Sequence, residues 1–317
     1  MIRHPDKIPV GISSCLLGEP VRYDGGHKSN DYVRKTLGLY FEFRPFCPEV
    51  ASGMNIPRPP VQLRYTDHGI RCVGVKDHGI DVTEQLQTCA DKQRDWVRGL
   101  CGYILKKDSP SCGMARVKIY KHDYADRVGT GLFAQFLKEN FPLLPLEEEG
   151  RLGDPHLREN FIQRVYVLHR WQRMCASPVT PERLTRFHSR HKLIAMSHDQ
   201  NQARALGRLA ATADNDNIDQ VTAQYGQALM QVLTKIASRG NHVNVLQHIQ
   251  GYLKKNLDTD DKAELGETIE RYRTGIVPLI VPITLLKHHF RKQPDPFIEQ
   301  SYYMSPYPDE LTVLNDI

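Results

Sequence analysis

At 317 residues the chain is long enough for two ordinary domains. A composition of 40% hydrophobic and 25% charged residues excludes the disordered, collagen-like and coiled-coil classes. A net charge of +5 is too small to mark either half as a nucleic-acid arm.

In chain order, the opening residues MIRHPDKIPV lack the apolar core of a secretory signal. Ile8 to Ser13 is an apolar run of strand length, and residues 28–39 are expected as a helix. Tyr40 to Arg44 alternates and is aromatic-rich, which predicts a second strand ahead of Pro45. Val61 to Tyr65 and Ile70 to Val75 predict further short strands. A helical stretch follows from Thr83, with Leu86, Cys89, Trp96, Val97 and Leu100 near a 3.6-residue spacing. A buried strand at Gly102 to Lys106, another at Val117 to Lys121 and a helix over 129–140 complete this half. Strands alternating with helices predict an α/β domain, a mainly parallel, Rossmann-like sheet with helices on both faces.

Residues 147–158, with the run Glu147, Glu148, Glu149, are expected as a linker between a domain over 1–146 and another over 159–317. The second domain is expected to be all-α, with helices over 156–175, 181–213, 215–238, 240–255 and 259–274. Thr180 followed by Pro181 marks one helix start. The most apolar stretch, Gly275 to Leu286, has twelve residues and two prolines, short of the roughly 20 a membrane span needs. A cytoplasmic location is therefore expected, and in a reducing compartment seven cysteines with no CxxC pair read as thiols or metal ligands.

Three cysteines share a context. Cys15 follows the first strand, Cys47 follows the aromatic strand, and Cys112 lies beyond the Gly102 to Lys106 strand. Ligands of open α/β sheets bind outside the carboxyl ends of the strands, so these loops could bring three thiols together. Three thiolates without a fourth leave an iron of an iron–sulfur cluster open to a non-protein ligand. The alternative is that all three are buried small hydrophobes, and spacing does not decide between them. Cys72, Cys89, Cys101 and Cys175 read as packing residues.

Glu49, two residues after Cys47, is an acid/base candidate or an exposed turn carboxylate. Ser109 and Ser111 lack a paired base and fit hydrogen-bonding roles better than nucleophilic ones; Ser13 and Ser14 are weaker candidates. Arg22 and Lys28 flank a glycine turn that would hold an anion or simply cap a helix. In the second half, His188, His191 and His198 share a helix face with Leu184, Phe187 and Ile194, and the absence of metal-ligand spacing favours packing roles. Asn241, Asn244, Gln247, Tyr252, Lys254 and Lys255 form a polar face for RNA or a partner protein, or a solvated surface.

The motifs IPVGISSCLLGEPVRYDGGHK, FCPEVASGMNIPRP and ILKKDSPSCGM, in this order over about residues 8–145, resemble the TudS-like thiouracil desulfidase family. Residues from about 160 onward resemble a YbgA-type domain, through FHSRHKLIAMSH, NVLQHIQGYLKK, YRTGIVPLIVPITLLKHH and QSYYMSPYPDEL. The first resemblance implies a 4Fe-4S cluster with three cysteine ligands, Cys15, Cys47 and Cys112, and one open iron. It implies catalytic roles for Glu49 and Ser109, and the expected activity is desulfidation of 2-thiouracil or a 4-thiouridine nucleotide, with Arg22, Lys28, Ser14 and Ser111 contacting substrate. Lys107 and Asp108 place charge just before SPSCG, a departure that removes no ligand. Other expectations compatible with the residues are an iron–sulfur sensor, an RNA- or partner-binding module, a zinc hydrolase on the same thiols, and sulfur transfer into a product.

Overall fold

The structure is a computed structural model and describes residues 7–122 and 124–311. The chain divides between Gly153 and Asp154 into two compact units.

The first unit contains two four-stranded sheets. Strands β1 (Ile8–Ser13), β2 (Phe41–Phe46), β5 (Tyr103–Leu105) and β8 (Leu146–Glu148) form an all-parallel sheet in the order β2-β1-β5-β8. Val10 and Ile12 of β1 are fully buried, as expected for a parallel strand covered on both sides. Gly11 is required there: a Cβ would sit 2.3 Å from the Tyr103 ring on the neighbouring strand. That ring belongs to an aromatic cluster with Phe133 and Trp96, which also packs Phe46.

Strands β3 (Val61–Thr66), β4 (Gly69–Gly74), β6 (Val117–Lys121) and β7 (Tyr124–Gly129) form a separate sheet, β4-β3-β6-β7, in which only β3 and β6 are parallel. Its existence departs from the single sheet expected. β3 and β4 are joined by Asp67 and His68, too few residues for the crossover a parallel pair needs, so they close as a hairpin. Leu63, Cys72, Val82, Leu86, Val117, Ile119 and Leu132 form its core, which explains Cys72. Short helices α1 (Pro48–Ala51), α2 (Thr83–Asp91), α3 (Arg94–Arg98) and α4 (Leu132–Asn140) fill the connections. Residues 28–39 form only short turns at Tyr32–Thr36 and Leu37–Leu39, because the chain must re-enter β2 at Phe41.

The segment 147–158, expected as a linker, contains the division between the two units and is itself structured. It holds the end of β8, a 3-10 turn at Arg151–Gly153, and the start of α5 (Pro155–Cys175), which Asp154 caps. The three consecutive glutamates in it are not solvated either. Glu147 accepts from Arg151, Glu148 takes the Met114 amide at 2.7 Å, and Glu149 takes Lys106 Nζ and the Lys107 amide.

The second unit is helical: α5, then α6 (Pro181–His198), α7 (Gln200–Ala211), α8 (Ile218–Val232), α9 (Arg239–Tyr252), α10 (Thr259–Arg273), α11 (Ile280–Lys292) and α12 (Pro296–Gln300). The expected single helix over 181–213 breaks at Asp199, whose carboxylate caps α7 by accepting from the Gln202 amide. Pro282 is tolerated in the first turn of α11, where its missing N–H costs nothing. Among the described residues no helix is long and apolar enough to cross a membrane.

Candidate active site

The three cysteines lie at the carboxyl ends of three adjacent strands. Cys15 sits in the 3-10 turn after β1, Cys47 caps α1 directly after β2, and Cys112 follows β5 by a short loop. All three line one cavity of about 370 Å³, together with Ser13, Ser14, Arg22, Lys28, Glu49 and Ser109. Parallel strands in the order β2-β1-β5 must release their chains on the same edge, and this brings residues 97 positions apart (112 − 15) to one place.

Burial dominates the thiols. It raises Cys15 to about 11, with Cys47 and Glu149 adding to the effect while Lys106 and Arg22 oppose it. Cys47 is raised by burial and Glu49, against backbone amides and Arg58. Cys112 is driven well up by burial, against a hydrogen bond with Ser13. The Tyr103 hydroxyl, buried and without a hydrogen-bond partner, feels the charge of all three sulfurs. A donor left unsatisfied in a core is costly unless a ligand accepts from it.

The Cys112 loop is braced from several sides. Ser109 Oγ accepts the amides of Ser111 at 3.2 Å and Cys112 at 3.0 Å, so its hydroxyl oxygen shapes the turn. The start of α4 points the amides of Leu132 and Phe133 at the Pro110 and Ser111 carbonyls. Gly131 permits that approach, since a Cβ there would lie 2.6 Å from the Ser111 backbone. Asp108, at φ +58°, turns outward to Arg127 at 3.1 Å.

Glu49 is held more firmly than a turn carboxylate. Oε2 accepts Arg58 Nε at 3.0 Å and Nη2 at 2.7 Å, and Oε1 accepts the Ser111 hydroxyl at 2.9 Å. Arg58 also donates to the Val21 carbonyl, tying the Arg22 loop to the same carboxylate. No pattern in the sequence singles out Arg58 beyond its place within FCPEVASGMNIPRP. Lys106, paired with Glu149 at the cavity wall, was equally unmarked. Arg22 is partly exposed beside Asp24 at 3.7 Å, and the Lys28 amide donates to the Cys15 carbonyl at 2.9 Å. Arg22, Lys28 and Ser14 thus border the cavity, while Ser111 faces Glu49.

Elsewhere, Cys72, Cys89 and Cys101 are buried, but Cys175 is exposed: α5 ends there, past its packed face. His191, His198 and His242 are core groups bonded to Phe187 O, Lys235 O with Gln163, and Tyr303. Asn241 is committed to the His198 carbonyl at 3.1 Å, and Tyr252 stacks on Phe297. Among the described residues no three His, Cys, Asp or Glu side chains are grouped to ligate one metal ion. A cluster differs in this respect, because each cysteine binds its own iron and the sulfurs stay apart.

Residues 10–149 match the family described as 2-thiouracil desulfurase, and residues 192–308 match a protein of unknown function, DUF1722. The Escherichia coli (strain K12) protein described as uncharacterized protein YbgA is 32% identical over 146 residues, 46% of this chain and 86% of that relative. The Bacillus subtilis (strain 168) uncharacterized protein YbbK is 31% identical over 137 residues, 40% of this chain and 88% of that relative. A solved structure titled 4Fe-4S-dependent thiouracil desulfidase TudS shares 30% identity over 47% of this chain and 95% of its own, with a TM-score of 0.38.

Proposed function

Because the chain belongs through residues 10–149 to the 2-thiouracil desulfurase family, we propose that it removes sulfur from a thiolated uracil, free or in a nucleotide, with a 4Fe-4S cluster on Cys15, Cys47 and Cys112. The observation that carries this reading is the meeting of three thiols at one cavity, with an anchored carboxylate on its wall. The donor set fits: three soft thiols, no fourth among the described residues of the cavity wall, and the unsatisfied Tyr103 hydroxyl coupled to all three, which a bound cluster would be placed to accept from. When bound, such a cluster supplies a thiophilic, Lewis-acidic iron with one position free of protein.

The chain's own residues then divide the work. Held by Cys15, Cys47 and Cys112, such a cluster would favour a thiocarbonyl over a carbonyl. Glu49, fixed by Arg58 and Ser111, orients water toward the ring carbon and accepts its proton. Ser109 acts chiefly by holding the Cys112 turn, with its hydroxyl hydrogen left for the cavity. Arg22 and Lys28, on the cavity wall, neutralise a phosphate when the substrate is a nucleotide. Water adds, the carbon–sulfur bond breaks, and hydrosulfide with a proton leaves, so the net change is hydrolytic and electron-neutral.

Anaerobic reconstitution of the full chain tests this. Wild type should gain a brown chromophore and convert 2-thiouracil or 4-thiouridine monophosphate with release of hydrosulfide. Cys47→Ser should lose both. Full turnover by chain stripped of iron would overturn the proposal.

A further inference from the structure

The helical unit holds a second cavity, about 350 Å³, walled largely by arginine. Arg170 and Arg173 reach it from α5, and Arg183, Arg186 and Arg190 from α6, beside the buried His191. Five guanidinium groups around one hollow repel each other, and guanidinium is the side chain best shaped for phosphate oxygens. Among the described residues no carboxylate pairs with any of the five. Among the described residues the cationic field is therefore uncompensated.

The wall is also built rather than incidental. The Arg170 guanidinium lies 3.8 Å over the Tyr302 ring and donates to the Pro306 carbonyl. Arg183 is clamped by the Pro178 and Met174 carbonyls. The Tyr302 amide donates to the Arg190 carbonyl at 3.0 Å, fixing the wall on that side. Despite this order, Arg170 Nη1, Arg190 Nε and His191 Nε2 are buried without a partner. Unsatisfied buried groups on one cavity wall call for a ligand.

The ligand's chemistry can be read from the same groups. His191 Nδ1 faces the Phe187 carbonyl at 2.8 Å, so Nδ1 carries the proton and Nε2 is left to accept from a hydroxyl. Burial, reinforced by Arg170 and Arg190, keeps this imidazole neutral by pulling it down to about 3. The aromatic rings are already engaged: Tyr302 by Arg170 and His191, Phe187 by His191 and Trp171. That leaves phosphate oxygens, one carrying a proton or hydroxyl, as the groups the wall recognises. We propose that this cavity binds an oligophosphate group, as carried by a nucleoside triphosphate or by inorganic polyphosphate.

Calorimetric titration of the full chain with inorganic tripolyphosphate and, in parallel, with ATP tests the proposal at about 0.1 M salt, where exposed charges are largely screened. Tripolyphosphate should bind. Equal affinities identify the phosphate chain alone as the recognised group, and tighter ATP identifies the nucleotide as its source. Arg173→Glu and Arg186→Glu alter exposed side chains with no ion-pair partner among the described residues and remove one of the repelling charges, so melting should not fall. Each should weaken binding at least about tenfold, the scale of one charged hydrogen bond. Lys254→Glu should have no effect on either. Absence of tripolyphosphate binding at millimolar concentration would overturn the proposal, as would affinities within twofold of wild type in both variants. Binding of an RNA oligomer that tripolyphosphate fails to displace would overturn it in favour of a nucleic-acid surface.

Discussion

Two donors of Arg58 converge on a single oxygen of Glu49, at 3.0 and 2.7 Å, with both side chains nearly sealed from solvent at 6% and 14% exposure. Removing one member of such a pair strands the other charge. Arg58→Met should cost about 3 kcal/mol in urea unfolding and abolish turnover. The double variant with Glu49→Gln should recover most of the stability and none of the activity. Equal losses from the single and double variants would refute the pairing argument.

Gly131 gives a sharper test of the cysteine loop. Gly131→Ala sets a Cβ 2.6 Å from the Ser111 backbone, a clash no rotamer relieves. The loop bearing Cys112 must shift. The expected result is a chain that retains its helical far-ultraviolet spectrum and incorporates markedly less iron than wild type in the same reconstitution.

Tyr103 separates the metal-free and loaded states. Its hydroxyl is a buried group without a partner, so Tyr103→Phe should stabilise metal-free protein by about 1 kcal/mol. In protein reconstituted with the proposed cluster the gain should vanish or reverse, since a group bound among the three thiols would offer the hydroxyl an acceptor. Thermal melting of both forms decides the point.

Acid should unfold the chain through its core histidines. Burial pulls His188 and His198 down to about 4, and His191 and His242 to about 3, from 6.5. The unfolded chain accepts those protons near 6.5 and the folded one resists, so their contribution is complete above about 6.5 and drains as pH falls through 4 toward 3. Glu159, which burial raises from 4.5 to about 7, acts oppositely and contributes most below 4.5. Four groups outweigh one. Melting temperature should fall steadily from pH 6.5 to 4; a rise over that interval would contradict the histidine account.

The sequence reveals the three strand-end cysteines because a parallel sheet leaves little freedom in where its loops emerge: an apolar run followed by Ser and Cys already fixes an edge and a direction. It reveals the helical second unit through periodicity. It hides Arg58, since nothing local relates an arginine in a proline-rich turn to a carboxylate nine positions earlier. It hides the second sheet's pairing, because strand length and hydrophobicity do not name a partner. The run Glu147, Glu148, Glu149 misleads for a related reason: consecutive carboxylates look solvated until the loops that take them up are known.

Those three carboxylates set a limit on how the gene can be divided. A fragment ending where the acidic run begins would keep the three cavity thiols, yet drop the groups that grip the Met114 amide and Lys106 from behind. A stand-alone version of the first half therefore has to extend through Gly153. Cloning that trims the boundary for tidiness would yield protein with the right cysteines on unsupported walls.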